Sequence, residues 1–266
     1  DAVQYASPMV LRGLLHQLTG DEEVIAMKPG TAAKFSTGSE LASEADDKAI
    51  KAKAAAFLKQ YRDSGAGPLD LGPEERLRTS LGLTGNQEIP DGEMHIWRQE
   101  TALDRWARGV NWTGGKPPEN VNDYKVAVIG TGIAGLNVAV QLKRAGIPFV
   151  VIEKNPEVGG SWYENRYPGA RVDTSSRGYT HLFSYDYPFP YAYSPRDINL
   201  QYFKWVADNF DIRGNIDFNT EVTAMTWDEA TALWTLEATS PSGPITYKVN
   251  AVITCVGFLS RPQIPA

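Results

Sequence analysis

The sequence predicts an α/β fold: a Rossmann-like domain with a small antiparallel β insertion, preceded by an all-helical extension. Three observations predict it. A short apolar strand, a glycine-rich turn and an amphipathic helix follow one another from Tyr124 to about Ala145. A second apolar strand, Phe149 to Ile152, comes next, so these pieces form a βαβ unit with short connections. Residues 1 to about 120, in contrast, carry helical spacing.

In the extension, Val10, Leu11, Leu14, Leu15 and Leu18 share one helical face, and Gly20 can stop that helix. A longer helix is expected from about Ser39 to Asp63, with Ile50, Ala54, Phe57, Leu58 and Tyr61 as its stripe and Gly65 as a C-cap. A third includes Met94, Trp97 and Trp106. The stretches Gly65-Ala66-Gly67-Pro68 and Gly82 to Gly92 read as loops. No catalytic constellation is found there. The extension is either a dimerisation or interdomain packing module, which would make a homodimer, or a cover for apolar surface of the main domain. His16 and His95 read as structural or solvated. A turn-rich linker, Gly114 to Asn120, separates the extension (1–120) from the second domain (121–266). Further on, Ile216 to Phe218, Val222 to Trp227, Trp234 to Ala238 and Thr246 to Val249 are expected as strands of a smaller antiparallel sheet. Ala251 to Cys255 reads as a buried parallel strand.

Bulk properties exclude several functions. A net charge of -6 does not favour nucleic acid or anionic lipid. No apolar run reaches the ~20 residues that span a bilayer, and no signal peptide is seen, so a cytoplasmic location without membrane attachment is expected. The single cysteine, Cys255, fits a reducing compartment, and the scattered histidines predict no metal site.

The chemistry begins at Gly130-Thr131-Gly132-Ile133-Ala134-Gly135. Such a motif between a strand and a helix lets a pyrophosphate approach the backbone at Gly132 and meet the helix N-terminus, while Gly135 lets the helix pack close to the sheet. Glu153 ends the second strand, 18 residues after Gly135, followed by Lys154. A carboxylate there can accept hydrogen bonds from both ribose hydroxyls and repels a 2′-phosphate, which leaves NAD or FAD. Gly159-Gly160 then resembles the extended fingerprint of two-dinucleotide-binding flavoproteins, which favours FAD. Val252 to Gly257 resembles the second FAD segment of the same group, with Gly257 beside the cofactor. Cys255 within it reads as a small buried hydrophobe.

The stretch Gly159-Gly160-Ser161-Trp162-Tyr163-Glu164-Asn165-Arg166-Tyr167-Pro168-Gly169-Ala170-Arg171-Val172-Asp173 is a polar, aromatic-rich loop directly after a cofactor strand. Its flat rings and fixed donors suit a flavin, and Pro168-Gly169 forces a turn. This block resembles the N-terminal signature of type I Baeyer–Villiger monooxygenases, from GGxW through aromatic-Pro-Gly to an aspartate, and the resemblance extends from about Val121 to Pro265. More loosely, Leu14 to Gly20 and Tyr61 to Gly65 resemble the 4-hydroxyacetophenone monooxygenase subgroup.

The resemblance implies an enzyme that uses FAD, NADPH and O2 to convert ketones to esters or lactones. Asp173 would be the active-site aspartate, holding an arginine that this chain lacks. Ser161, Trp162, Tyr163 and Glu164 would line the flavin, with Tyr179 near its ring system. Arg171, Val172 and Asp173 would border the nicotinamide, and Val222 would meet the adenine end through its backbone. A second GxGxxG for NADP and the family's interdomain linker signature do not occur in the sequence. The expected partner is therefore the remainder of the same enzyme, with its NADP domain and C-terminal part. The alternatives are a nitrogen- or sulfur-oxygenating flavin monooxygenase and a noncatalytic FAD-binding or assembly fragment.

Overall fold

The computed structural model describes residues 2–30, 40–67, 69–101, 104–260 and 264. It divides into two compact units, Asp1–Arg98 and Gln99–Ala266. The second unit thus begins before the turn-rich linker read as the boundary.

The first unit is helical. It contains α1 (Pro8–Thr19), α2 (Glu23–Ala26), α3 (Glu44–Asp63) and α4 (Leu77–Gly85), and α5 (Met94–Glu100) spans its end. Helix α1 ends on Gly20 in the left-handed conformation, as the sequence indicates. Its buried face differs from the expected one. Met9, Leu11 and Leu15 are buried, whereas Val10 and Leu14 are exposed. The polar residues Arg12 and His16 occupy the inner face instead, because each finds a partner there. Arg12 Nε and Nη2 donate to the carbonyls of Val24 and Ile25, and His16 Nδ1 bonds the Ser80 hydroxyl at 2.9 Å. Helix α3 starts at Glu44, where the Ser43 hydroxyl caps the Asp46 amide. The expected start, Ser39, lies outside the described residues, as do Pro68 in the next loop and Pro265 at the end of the resemblance. Helix α5 stops at Glu100, so Trp106 does not belong to it.

The second unit is built on a four-stranded parallel sheet of β1 (Val126–Ile129), β2 (Phe149–Ile152), β3 (Ile216–Asp217) and β7 (Ala251–Thr254), in the order β3-β2-β1-β7. Strand β1 begins two residues after Tyr124. Between β1 and β2 runs α6 (Ile133–Ala145), and β2 is followed by the short α7 (Ser161–Glu164) and by α8 (Arg196–Asn209). The antiparallel sheet contains β4 (Glu221–Asp228), β5 (Leu233–Ser240) and β6 (Gly243–Val249). Ile216–Asp217 corrects the expectation that this stretch joins the antiparallel sheet: it pairs with Val151–Ile152 in parallel. Two residues are too short to show a periodicity that would tell the sheets apart.

Alternation along the strands assigns the two faces. Val126, Val128, Phe149 and Val151 face α6 and α8, in one core with Leu136, Val140, Tyr202, Phe203 and Val206. Ala127, Val150 and Ile152 point the other way and pack with Leu236 and Val249 of the antiparallel sheet. Both faces of β1 and β2 are thus covered, which is why these strands read as continuous apolar runs. Trp106 stacks on Phe183 at 5.4 Å, and the Arg144 guanidinium lies 4.8 Å from its ring centroid.

His181 is buried against Phe183 in this core. The Asn137 side-chain amide is 3.3 Å from its Nδ1, and Nε2 has no partner among the described residues. Burial lowers its pKa from 6.5 to about 4. Between those values the unfolded chain holds a proton that the folded chain does not. Stability therefore falls as pH drops from 6.5 towards 4, by about 3 kcal/mol over the whole interval. Urea midpoints followed across this range should show the loss, and His181→Gln should flatten that part of the profile.

Candidate dinucleotide-binding site

The ends of β1, β2 and β7 meet at one corner. Strand β1 runs into Gly130, whose φ of 98° suits glycine. A Cβ on Gly130 would sit 2.7 Å from the Cys255 carbonyl at the end of β7. A Cβ on Gly135 would sit 1.9 Å from the Gly130 carbonyl, so this glycine sets how closely α6 approaches the turn. Burial raises the Cys255 thiol pKa, in keeping with a packing role.

The second glycine pair closes the corner from the β2 side. The Gly159 amide donates to the Thr131 carbonyl at 3.1 Å. Gly160 has φ +50°, and a Cβ there would lie 2.8 Å from Gly132 Cα. Gly132 is different: a Cβ built on it meets nothing closer than Gly160 Cα at 3.8 Å. Its bare backbone is therefore not required by the packing of this chain and leaves a space open at the start of α6. No side chain caps that helix, and its first turn has no acidic residue, so no group of the helix's own first turn competes for its first amides or offsets the dipole. Ile133 and Ala134 begin the helix there. These features fit a diphosphate.

Glu153 follows β2 and is 3% exposed. Its Oε2 accepts hydrogen bonds from the Thr131 amide at 2.8 Å and the Thr131 hydroxyl at 2.6 Å, and Oε1 accepts from the Asn155 amide at 2.8 Å. Lys154 pairs with Glu164 at 2.8 Å, and that bond raises the Lys154 pKa. Burial pushes the Glu164 carboxyl up, but hydrogen bonds from Lys154 and Asn155 outweigh it and hold the carboxyl below its usual range.

Helix α7 carries Ser161, Trp162, Tyr163 and Glu164 directly from Gly160. Trp162 meets Tyr179 edge to face at 5.8 Å and donates its indole N–H to the Tyr179 hydroxyl at 3.1 Å. Arg196, at the start of α8, donates to the carbonyls of Trp162 and Tyr163. The backbone on either side of it holds the far end of the same loop: the Arg196 amide donates to the Ala170 carbonyl, and the Val172 amide to the Ser194 carbonyl. Val172 is buried, whereas Arg171 and Asp173 are exposed. The Thr174 hydroxyl lies 3.5 Å from Asp173. Val222 packs its side chain with the core beneath the sheet, and Gly257 follows β7 at φ +74°.

The structure thus gathers Gly130, Gly132, Gly135, Glu153 and Gly160 at one corner and joins Trp162 to Tyr179. It sets Arg171 and Asp173 at the far end of the same loop, with both residues exposed. Three participants escaped the sequence reading: Thr131, Asn155 and Arg196. Thr131 looks like a spacer between two glycines, and Arg196 lies 34 and 33 residues from the carbonyls of Trp162 and Tyr163 that it fastens, with no local pattern to link them.

Residues 128–190 match the family model of the NAD(P)-binding Rossmann-like domain. A Baeyer–Villiger monooxygenase of Streptomyces coelicolor is 38% identical over 149 residues, 55% of this chain and 28% of that protein. An uncharacterized monooxygenase of Sinorhizobium fredii is 27% identical over 270 residues, spanning 100% of this chain and 39% of the relative. The solved structure of OTEMO in complex with FAD and NADP superposes with a TM-score of 0.50 at 31% identity, over 53% of this chain and 27% of that one. The chain therefore spans well under half the length of these relatives. In sequence and in fold, about half of this chain is similar to the Baeyer–Villiger monooxygenases, as the block from Gly159 to Asp173 implied.

Proposed function

We propose that this chain supplies the FAD-binding part of a flavin-dependent monooxygenase that converts ketones to esters or lactones with NADPH and O2. The observation that carries the reading is the corner at Gly132: an open, side-chain-free approach to an uncapped helix N-terminus, with a fixed carboxylate at the end of β2. The solved relative bound to FAD and NADP, and the family named in the Streptomyces match, support the same reading. The bound flavin supplies the redox chemistry that activates oxygen.

The residues of this chain hold and orient that group. The amides of Ile133, Ala134 and Gly135 face the diphosphate, and Glu153 faces the adenosine ribose. Val222 and Lys154 border the adenosine end. Trp162 and Tyr179 form a rigid aromatic wall for the ring system, with Ser161, Tyr163 and Glu164 alongside. Arg171, Val172 and Asp173 border the nicotinamide, and Gly257 lies against the flavin. Asp173 orients an arginine supplied by the rest of the protein, since a carboxylate fixes a guanidinium bidentately. The stretches Leu14 to Gly20 and Tyr61 to Gly65 support membership of the 4-hydroxyacetophenone monooxygenase subgroup. Exposed Val10, Leu14 and Leu58 support docking of the helical unit on another surface of the enzyme or on a second copy.

The complete protein, purified and given FAD, NADPH and a ketone, should form ester. Sulfoxide from a thioether without ester from any ketone would assign it to the sister oxygenases. Gly132→Val should remove flavin with little change in thermal stability, because its β-carbon meets no close neighbour in the folded chain. Full flavin content by absorbance would refute the diphosphate assignment. Asp173→Ala should retain FAD and lower ester formation by about 100-fold, the scale of losing one oriented cation. Near-normal turnover would take Asp173 out of the active site.

A further inference from the structure

The FAD assignment leaves open how Glu153 is used, and its hydrogen bonds decide this. A carboxylate has about four acceptor positions, two on each oxygen. Thr131 fills both positions on Oε2, with its amide and its hydroxyl, and the Asn155 amide takes one on Oε1. A single position on Oε1 remains. Thr131 is fully buried, so no solvent competes for its hydroxyl. The two backbone amides come from the turns after β1 and after β2, and neither can rotate away. The Thr131 hydroxyl is the one side-chain donor of the set.

We propose that Thr131 is a positioning residue for the cofactor ribose: it fixes Glu153 so that Oε1 accepts one ribose hydroxyl, rather than both hydroxyls being shared across the carboxylate. The inference rests on the FAD reading and adds to it. A flexible carboxylate would swing to meet either hydroxyl or both. One locked on Oε2 offers a single acceptor in a single direction, and so discriminates between the two hydroxyls. Without the Thr131 hydroxyl, Oε2 keeps only the Thr131 amide, and its second acceptor position opens to the other ribose hydroxyl.

The test uses the complete protein stripped of flavin and titrated with FAD and with two analogues, lacking either the 2′- or the 3′-hydroxyl of the adenosine ribose. In the unaltered protein, one analogue should bind about 10-fold more weakly than FAD, as expected for one hydrogen bond to a charged group. Thr131→Ala should shrink that penalty to less than about 3-fold, and Thr131→Ser should restore it. A purely structural role for Thr131 would lower affinity for FAD and both analogues in proportion and leave the ratio unchanged. An unchanged ratio in Thr131→Ala overturns the inference while the FAD reading stands. Failure of the unaltered protein to bind FAD at all overturns both.

Discussion

The rest of the site depends on one steric constraint: the main chain after β1 must lie against the main chain after β2 with no side chain between them. Gly160 meets Gly132, Gly135 meets the Gly130 carbonyl, and Gly130 meets the carbonyl of Cys255. Each contact is shorter than a β-carbon allows. Together they bring the ends of three parallel strands to the start of α6. The helix dipole and its unpaired amides are thereby aimed into a gap walled by backbone, where a diphosphate can approach to hydrogen-bond distance. Gly132 stands apart from the others, because its missing side chain serves the gap rather than the fold.

Polarity completes what the glycines begin. A carboxylate that is almost wholly buried is costly unless its oxygens are paired. Glu153 is paired within the same corner, by Thr131 from the β1 turn and Asn155 from the β2 turn. The main chain of Glu153 is also engaged: its amide donates to the Asp217 carbonyl and its own carbonyl accepts from the Thr220 amide. The acid proposed to face the ribose is thus held from the turn after β1, from the turn after β2 and by the segment leading from β3 to β4. This places β3 in the parallel sheet as a working neighbour of the site.

Much of this was legible in the sequence because the features are local. The βαβ unit shows in its periodicity, and the glycine spacing identifies the turn. The block from Gly159 to Asp173 gives the family resemblance. What was not legible depends on contacts distant in sequence. The pairing of Ile216–Asp217 follows from packing, not from its own two residues. Trp106 leaves the expected helix because a stack on Phe183 and a cation over its ring hold it in the second unit. In α1, Arg12 displaces Leu14 from the inner face because two carbonyls of α2 await a donor. Thr131 appears in the motif only as the residue between two glycines, since the fingerprint specifies backbone shape and is silent on side-chain chemistry at that position.

The loop that carries the aromatic wall raises a separate question of rigidity. Its near end grows from Gly160, already fixed by the glycine contact. Its far end is clamped by main-chain bonds to Ser194 and Arg196, while the Arg196 side chain reaches back to the carbonyls of Trp162 and Tyr163. One short segment at the start of α8 therefore fastens both ends. The loop is held as a unit, although Arg171 and Asp173 at its far end are exposed. A rigid frame with a solvated carboxylate at its far end suits the proposed pairing with an arginine from the rest of the enzyme. The frame fixes where Asp173 stands, and the exposed carboxylate remains accessible to the cation it is proposed to orient.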